Sequence, residues 1–167
     1  MPETNGKTIC RGRYQSPIGE LLLESDGAFL TGLRFGDEDC CPTSDDSVIC
    51  RTRLWLDSYF RGENPPPDIP MNPQGTPFQL QVWQILRTIP YGKTVTYGEI
   101  AREMAQKTGK QTMSSQAVGQ AVGRNPMGIL IPCHRCIGAG GKLTGYAWGI
   151  ERKQWLLHHE KEKRYDD

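Results

Sequence analysis

The residues best equipped for chemistry in this 167-residue chain are Pro132-Cys133-His134-Arg135, at the end of the apolar run Ile129-Leu130-Ile131. A proline fixes its own φ and restricts the residue before it, so the backbone turns just ahead of the sulfur and aims the thiol at a set place. Cysteine is the strongest nucleophile among ordinary side chains once a base or a dipole holds it as thiolate. One of only three histidines, His134, stands beside it. Adjacent helical residues point about 100° apart, so His134 need not touch the sulfur, and a water between them would relay the proton. A carboxylate beyond the histidine would orient it, as in other triads. Glu160, in Trp155-Leu156-Leu157-His158-His159-Glu160, is one candidate among several, and spacing does not choose it.

Cys136 completes a Cys-x-x-Cys with Cys133. A redox pair of that kind needs a βαβ context, and the flanking pattern is helix-turn-helix instead. The remaining cysteines, Cys10, Cys40, Cys41 and Cys50, have poor spacing for tetrahedral zinc, so free thiols are the expectation and no metal is expected. Trp55, Trp83 and Trp155 read as core, His158 and His159 as an exposed helix end, and Trp148, between small residues, as lining a site.

These residues must be positioned by a folded chain. Hydrophobic residues make up 37% and charged residues 23%, enough for a real core. No apolar run approaches the length of a membrane span, and the polar start (Met1 to Thr8) lacks a secretory core, so a cytoplasmic protein is expected. The first 76 residues carry 7 Lys+Arg against 12 Asp+Glu, and the rest carry 13 against 7. A basic second half suggests a polyanion partner, although two ordinary solvated surfaces would look the same.

The spacing predicts strands within 9–36, with a hairpin turn at Asp26-Gly27. Asp37 to Ser47 reads as an acidic loop, Val48 to Arg61 as a helix, and the proline-rich 63–76 as an extended linker. In the second half, Thr76-Pro77 opens a helix whose apolar face runs through Ile89 to Pro90. Thr96-Tyr97-Gly98-Glu99 is a capping box opening a second helix, and Ser114 can cap a third, Ser115 to Arg124. Helix, short turn, helix is the plan of a helix-turn-helix. The last helix is unusually thin (Ala117, Gly119, Ala121, Gly123), which suits either a close approach to DNA or tight packing of two helices. Gly138 to Gly149 reads as the wing of a winged helix or simply as a loop.

Ile131-Pro132-Cys133-His134-Arg135 resembles the active-site signature of the O6-alkylguanine-DNA alkyltransferases (methylated-DNA–protein-cysteine methyltransferases). Further blocks are similar to that family in order: Thr76-Pro77-Phe78-Gln79 through Trp83, Ile89-Pro90-Tyr91-Gly92, Thr96-Tyr97-Gly98-Glu99-Ile100-Ala101, Ala117-Val118-Gly119, Asn125-Pro126, Leu143-Thr144-Gly145-Tyr146 and Trp155-Leu156-Leu157. Ser16-Pro17-Ile18-Gly19 adds a thinner match before residue 76.

The resemblance implies an α+β protein: a small N-terminal α/β domain with an antiparallel sheet (1–75) and a C-terminal winged helix-turn-helix domain (76–167). It implies that an alkylated guanine is flipped out of duplex DNA and that Cys133 takes the alkyl group from O6, once per molecule. By the same likeness, His134 is a water-relayed base oriented by Glu160, Tyr97 serves the guanine ring nitrogen, and Asn125 is the hinge before the active-site loop. The carbonyls of Cys133 and Cys136, the Tyr146 side chain and the backbone near Ala147 would receive the base, with Trp148 at the pocket and Lys153 supporting Cys133. Gln116, Ala117, Gly119, Gln120, Gly123, Arg124 and Arg135 would contact DNA, through the minor groove. The implied partner is double-stranded DNA carrying O6-alkylguanine, bound by a monomer with no cofactor.

Three positions depart from the family pattern. Gln116 stands where many members carry the Arg that fills the gap left by the flipped base. Trp148 stands where a small residue is common, so methyl adducts are expected to be preferred over benzyl adducts. Cys136 replaces an aliphatic residue and makes an inactivating disulfide with Cys133 conceivable. The competing readings are a non-catalytic sensor of alkylated DNA, a thiol redox protein, and an alkylation-sensing transcriptional regulator, for which 167 residues leave no further DNA-binding domain.

Overall fold

Alternation of apolar and polar residues builds the first unit. The computed structural model describes residues 9–36, 46–66 and 68–163, with side chains through 161. Strands β1 (Cys10–Ser16), β2 (Gly19–Ser25) and β3 (Leu30–Phe35) form an antiparallel sheet in that order. Leu21 and Leu23 face inward from β2, as period two demands. Leu30 and Leu33 are three apart, yet both are buried, because a register shift at Glu24/Ser25 re-aims the strand between them. The β2–β3 connection is longer than a two-residue hairpin turn: Asp26 Oδ1 accepts from the Ala28 and Phe29 amides, and Gly27 takes φ 95°.

Helix α1 (Ser47–Phe60) is capped by Asp46, whose carboxylate accepts from the Val48 and Ile49 amides. It lays Ile49, Thr52, Leu56 and Tyr59 toward the sheet. Gly12 in β1 is required beneath it, since a Cβ there would lie 2.6 Å from Ile49 Cγ2. The proline-rich segment is not the extended linker that its composition predicts. Pro70 O accepts from the Leu30 amide, Asn72 N–H donates to Leu30 O, Arg51 and Trp55 bind the Asp68 and Pro66 carbonyls, and Ile69 is buried. It therefore covers the free edge of β3 and belongs to this unit, which ends at Gln74. The acidic loop reading falls mostly on 37–45, outside the described residues.

The second unit begins at Gly75. Its elements are α2 (Pro77–Leu86), β4 (Val95–Thr96), α3 (Tyr97–Thr108), α4 (Ser115–Gly123), a 3₁₀ turn (Cys133–Arg135), β5 (Cys136–Ile137), a second 3₁₀ turn (Ala139–Gly141) and α5 (Ile150–Lys163). Capping boxes close the starts of α2 (Thr76/Gln79) and α3 (Thr96/Glu99), and Ser114 caps α4. α2 stops at Leu86, short of Pro90, because Arg87 already caps it and Ile89 is buried from the following turn. Val82, Trp83, Leu86, Ile100, Met104, Val118, Val122, Ile131 and Leu156 are buried. Trp83 Nε1 donates to Ala121 O at 2.8 Å, tying α2 to α4. Residues 138–149 form no hairpin: the segment is a loop, one of the two forms its glycines allow. β5 instead pairs in parallel with β4, Val95 opposite Cys136.

Candidate active site

The thiol is delivered by a loop wound tighter than its apolar sequence suggests. After α4, Asn125 Nδ2 donates to Ile131 O at 2.7 Å and its Oδ1 accepts from Met127 N–H at 2.9 Å. Ile131 N–H returns to Met127 O at 2.9 Å, and Cys133 N–H donates to Ile131 O at 2.7 Å. Within this loop Ile129 adopts φ 71°, a left-handed conformation costly for a β-branched residue (about 1–3 kcal/mol) and held by complete burial. The chain thus turns before Pro132 as well as at it.

Cys133 is buried and borders a cavity of about 160 Å³ whose other walls include Tyr97, Gly119, Val122, Gly145, Tyr146 and Ala147. Burial pushes the thiol up to about 11, against the Asn125 amide and the Lys153 charge, which favour the thiolate. His134 is fully buried, with Nε2 2.6 Å from Glu160 Oε2. Its Nδ1 has no hydrogen-bond partner among the described residues. Burial holds His134 below its ordinary value, against the opposite pull of Glu160. Glu160 is kept ionised, far below the usual carboxylate range, because His134 and Arg135 outweigh its own burial. Among the candidates for the orienting carboxylate, the fold brings this one to the histidine.

Lys153 is buried in α5, with Nζ donating to Gly145 O at 2.9 Å and lying 5.9 Å above the Tyr97 ring. It anchors the loop that carries Tyr146 while placing a cation near both thiols. The Tyr146 hydroxyl is buried without a hydrogen-bond partner among the described residues, and burial raises its pKa well above the usual phenol range. Tyr97 is raised as well, by burial first.

Some candidate residues stand elsewhere than expected. Trp148 is not part of the cavity wall; it stands edge-on to Tyr146, with ring centroids 5.3 Å apart, and lies over Gly128. Cys136 is buried in β5, its thiol pushed up to about 12, and its N–H donates to Cys133 O, closing the 3₁₀ turn. Arg135 is no outward DNA contact. It forks onto Glu160 (Nε to Oε1 2.9 Å, Nη2 to Oε2 3.0 Å), donates from Nη1 to Ile89 O at 2.7 Å and lies over the Tyr91 ring. A guanidinium beside a buried carboxylate is drawn inward by charge, which residue type alone does not reveal. His159 is buried and stacks on Trp155 rather than fraying, while Trp55 and Trp155 are only half-buried. Gly128 gave no signal in the sequence, and the Ile89-Pro90-Tyr91-Gly92 block gave none that the Gly92 amide donates to Glu160 Oε1 at 3.1 Å.

Gln116, Gln120, Gly123 and Arg124 are exposed on or just after α4, with Ala117 and Gly119 half-buried. Ala117, Gln120, Gly123 and Arg124 share a groove of about 550 Å³ with Thr76 and Phe78. Gly119 faces the Tyr97 ring, a Cβ there meeting it at 3.8 Å. Cys133 and Cys136 are free thiols, and no group of three or more His, Cys, Asp or Glu among the described residues could hold a metal.

Both units of the chain are similar to known proteins. The family model of the 6-O-methylguanine DNA methyltransferase DNA-binding domain matches residues 77–162, and that of the same proteins' ribonuclease-like domain matches 9–73. The methylated-DNA–protein-cysteine methyltransferase of Mycobacterium tuberculosis is 44% identical over 153 residues, covering 89% of this chain and 90% of the relative. That of Haemophilus influenzae is 41% identical over 155 residues, covering 89% and 84%. The crystal structure of the Mycobacterium tuberculosis O6-methylguanine methyltransferase superposes with a TM-score of 0.81 at 42% identity, covering 96% of this chain and 97% of that one. A Mycobacterium tuberculosis OGT structure in complex with DNA gives 0.80 at 43% identity, covering 92% and 93%. With both units matched over nearly their whole length, the chain belongs to the 6-O-methylguanine DNA methyltransferase family.

Proposed function

We propose that this protein repairs double-stranded DNA by direct reversal, moving the alkyl group, chiefly methyl, from O6 of a flipped guanine to Cys133. The observation that carries the reading is a buried cysteine at the wall of a base-sized cavity, next in sequence to a histidine locked on a buried carboxylate. The Cys133 proton passes through a water to His134 Nδ1, and Glu160 fixes the tautomer by accepting from Nε2. The sulfur attacks the alkyl carbon; the S–C bond forms as the C–O6 bond breaks. The guanine leaves as an anion, and the Tyr97 hydroxyl serves its ring nitrogen with a proton or hydrogen bond. The thioether is permanent, so each molecule acts once.

Asn125 holds the loop that sets Cys133, Tyr146 and the Ala147 backbone receive the base, and Lys153 supports the thiolate. The thin α4 meets the minor groove with Gln116, Ala117, Gly119, Gln120, Gly123 and Arg124, where small side chains allow a close backbone approach. Cys133 and Cys136, three residues apart and both free thiols, fit a reducing, cytoplasmic setting, and one molecule acts on one lesion.

The test is stoichiometry. With excess duplex carrying one O6-methylguanine, guanine should be restored in an amount equal to the protein and no more. Continued turnover, or tight binding without repair, would overturn the reading.

A further inference from the structure

Arg135 is folded inward onto the carboxylate that His134 also uses. Its guanidinium takes both oxygens of Glu160, at 2.9 and 3.0 Å, with its third nitrogen on Ile89 O at 2.7 Å and the Tyr91 ring 5.7 Å from its centre. The Gly92 amide adds a hydrogen bond to the same carboxylate. Held from these sides, the Arg135 charge cannot swing away from the carboxylate that His134 also uses. A buried carboxylate facing a histidine alone would favour an imidazolium, and that cation would in turn draw the proton from Cys133. Here the carboxylate's charge is already matched.

Around His134 the charged groups are Glu160 and Lys153 from α5 and Arg135 from its own turn. Around Cys133 they are Lys153, with Tyr97, Tyr146 and Cys136 as neutral neighbours. Protonating His134 would put three cations against one carboxylate in a buried site.

Resting on the reading of Cys133 as acceptor and His134 as base, we infer that Arg135 is a positioning residue that keeps the resting Cys133–His134 couple neutral by chelating Glu160. The nucleophile then stays a thiol until a flipped base fills the cavity, which spares a single-use protein from soluble electrophiles. The burial of the thiol works in the same direction.

Two measurements test this, neither of which uses DNA. In wild-type protein carrying ¹³C-labelled histidine, three residues report and His134 is identified by its loss in His134→Asn. Its ring should be neutral at pH 7; an imidazolium there overturns the inference without any variant. In Arg135→Gln the His134 titration should move up by at least one pH unit, and in Arg135→Lys, which keeps a charge but not the fork, by less. Iodoacetamide should label the Cys133 peptide of Arg135→Gln at least tenfold faster at pH 7, with its half-maximal pH lowered and with Cys136 still unlabelled. Unchanged titration and labelling, or labelling of Cys136 in parallel (the mark of simple unfolding), would refute the assigned role. Loss of methyl transfer to wild-type Cys133 would instead sink the functional reading and leave these titrations standing.

Discussion

Asn125→Ala should separate the loop that aims Cys133 from the loop's own sequence preference. The substitution deletes the donor to Ile131 O (2.7 Å) and the acceptor for Met127 N–H (2.9 Å), stranding the buried Met127 amide while Ile131 O keeps the Cys133 N–H. The stranded amide costs about 1–3 kcal/mol and the lost second bond to Ile131 O about 0.5–1.5 kcal/mol. The strain at Ile129, about 1–3 kcal/mol, is then relieved only by letting the loop open, so the loop relaxes at the expense of the thiol's position. Urea denaturation should therefore show a loss of about 1.5–4.5 kcal/mol, a large share of the stability of an ordinary domain. Single-turnover methyl transfer should slow by about a hundredfold, the usual effect of misplacing a reacting atom by about 1 Å. Asn125→Asp keeps the acceptor for Met127 and should lose less stability. A change below about 0.5 kcal/mol in Asn125→Ala, with transfer intact, would refute the claim that this amide holds the active-site loop.

Gly128→Ala would place a Cβ 2.8 Å from the Trp148 ring, so it should destabilise by about 1–3 kcal/mol, and Trp148→Ala in the same chain should recover much of the loss. Because Trp148 supports Tyr146 from behind the cavity, Trp148→Gly should free that wall and raise transfer from benzyl relative to methyl adducts; an unchanged ratio would count against it. Stability should peak between the histidine and thiol ranges. His134 sits below 6.5 in the folded chain, so below that pH the unfolded chain binds a proton the native one excludes, and stability falls as pH drops, joined by Glu160 below 4.5. Cys133 and Cys136 sit above 9.0, so above that pH the unfolded chain releases protons the native one retains, and stability falls again. Denaturation midpoints across pH check both limbs; a monotonic profile would contradict them. Gln116→Arg adds an exposed cation to α4, so DNA affinity should rise at low salt and the slope of log K against log salt should steepen by about 0.9 if the new charge meets a phosphate.

Much of the local structure was legible because its causes are local. The Thr76 cap before Pro77, the capping box at Thr96 and the Ser114 cap announce three helix starts from residues within one turn of each start. Cys133-His134 was legible as a candidate site for the same reason. What spacing could not supply lay across the fold. Glu160 is 26 residues from His134 and reaches it only because α5 meets the 3₁₀ turn. Arg135 read as a DNA contact because its charge says nothing of a carboxylate brought in from α5. Ile129 gave no hint of a left-handed turn, since its β-branched side chain argues against one and only burial overrides it. The proline-rich segment read as a free linker, because a composition that favours extended chain does not show which strand edge that chain will cover.

Direct reversal by this protein rests on Cys133 as the alkyl acceptor. The direct measurement is the peptide mass map of the protein after reaction with duplex DNA carrying one O6-methylguanine. One added methyl is expected, confined to the Cys133 peptide and absent from Cys133→Ala. A methyl on Cys136 or any other cysteine, or transfer that survives in Cys133→Ala, would contradict it.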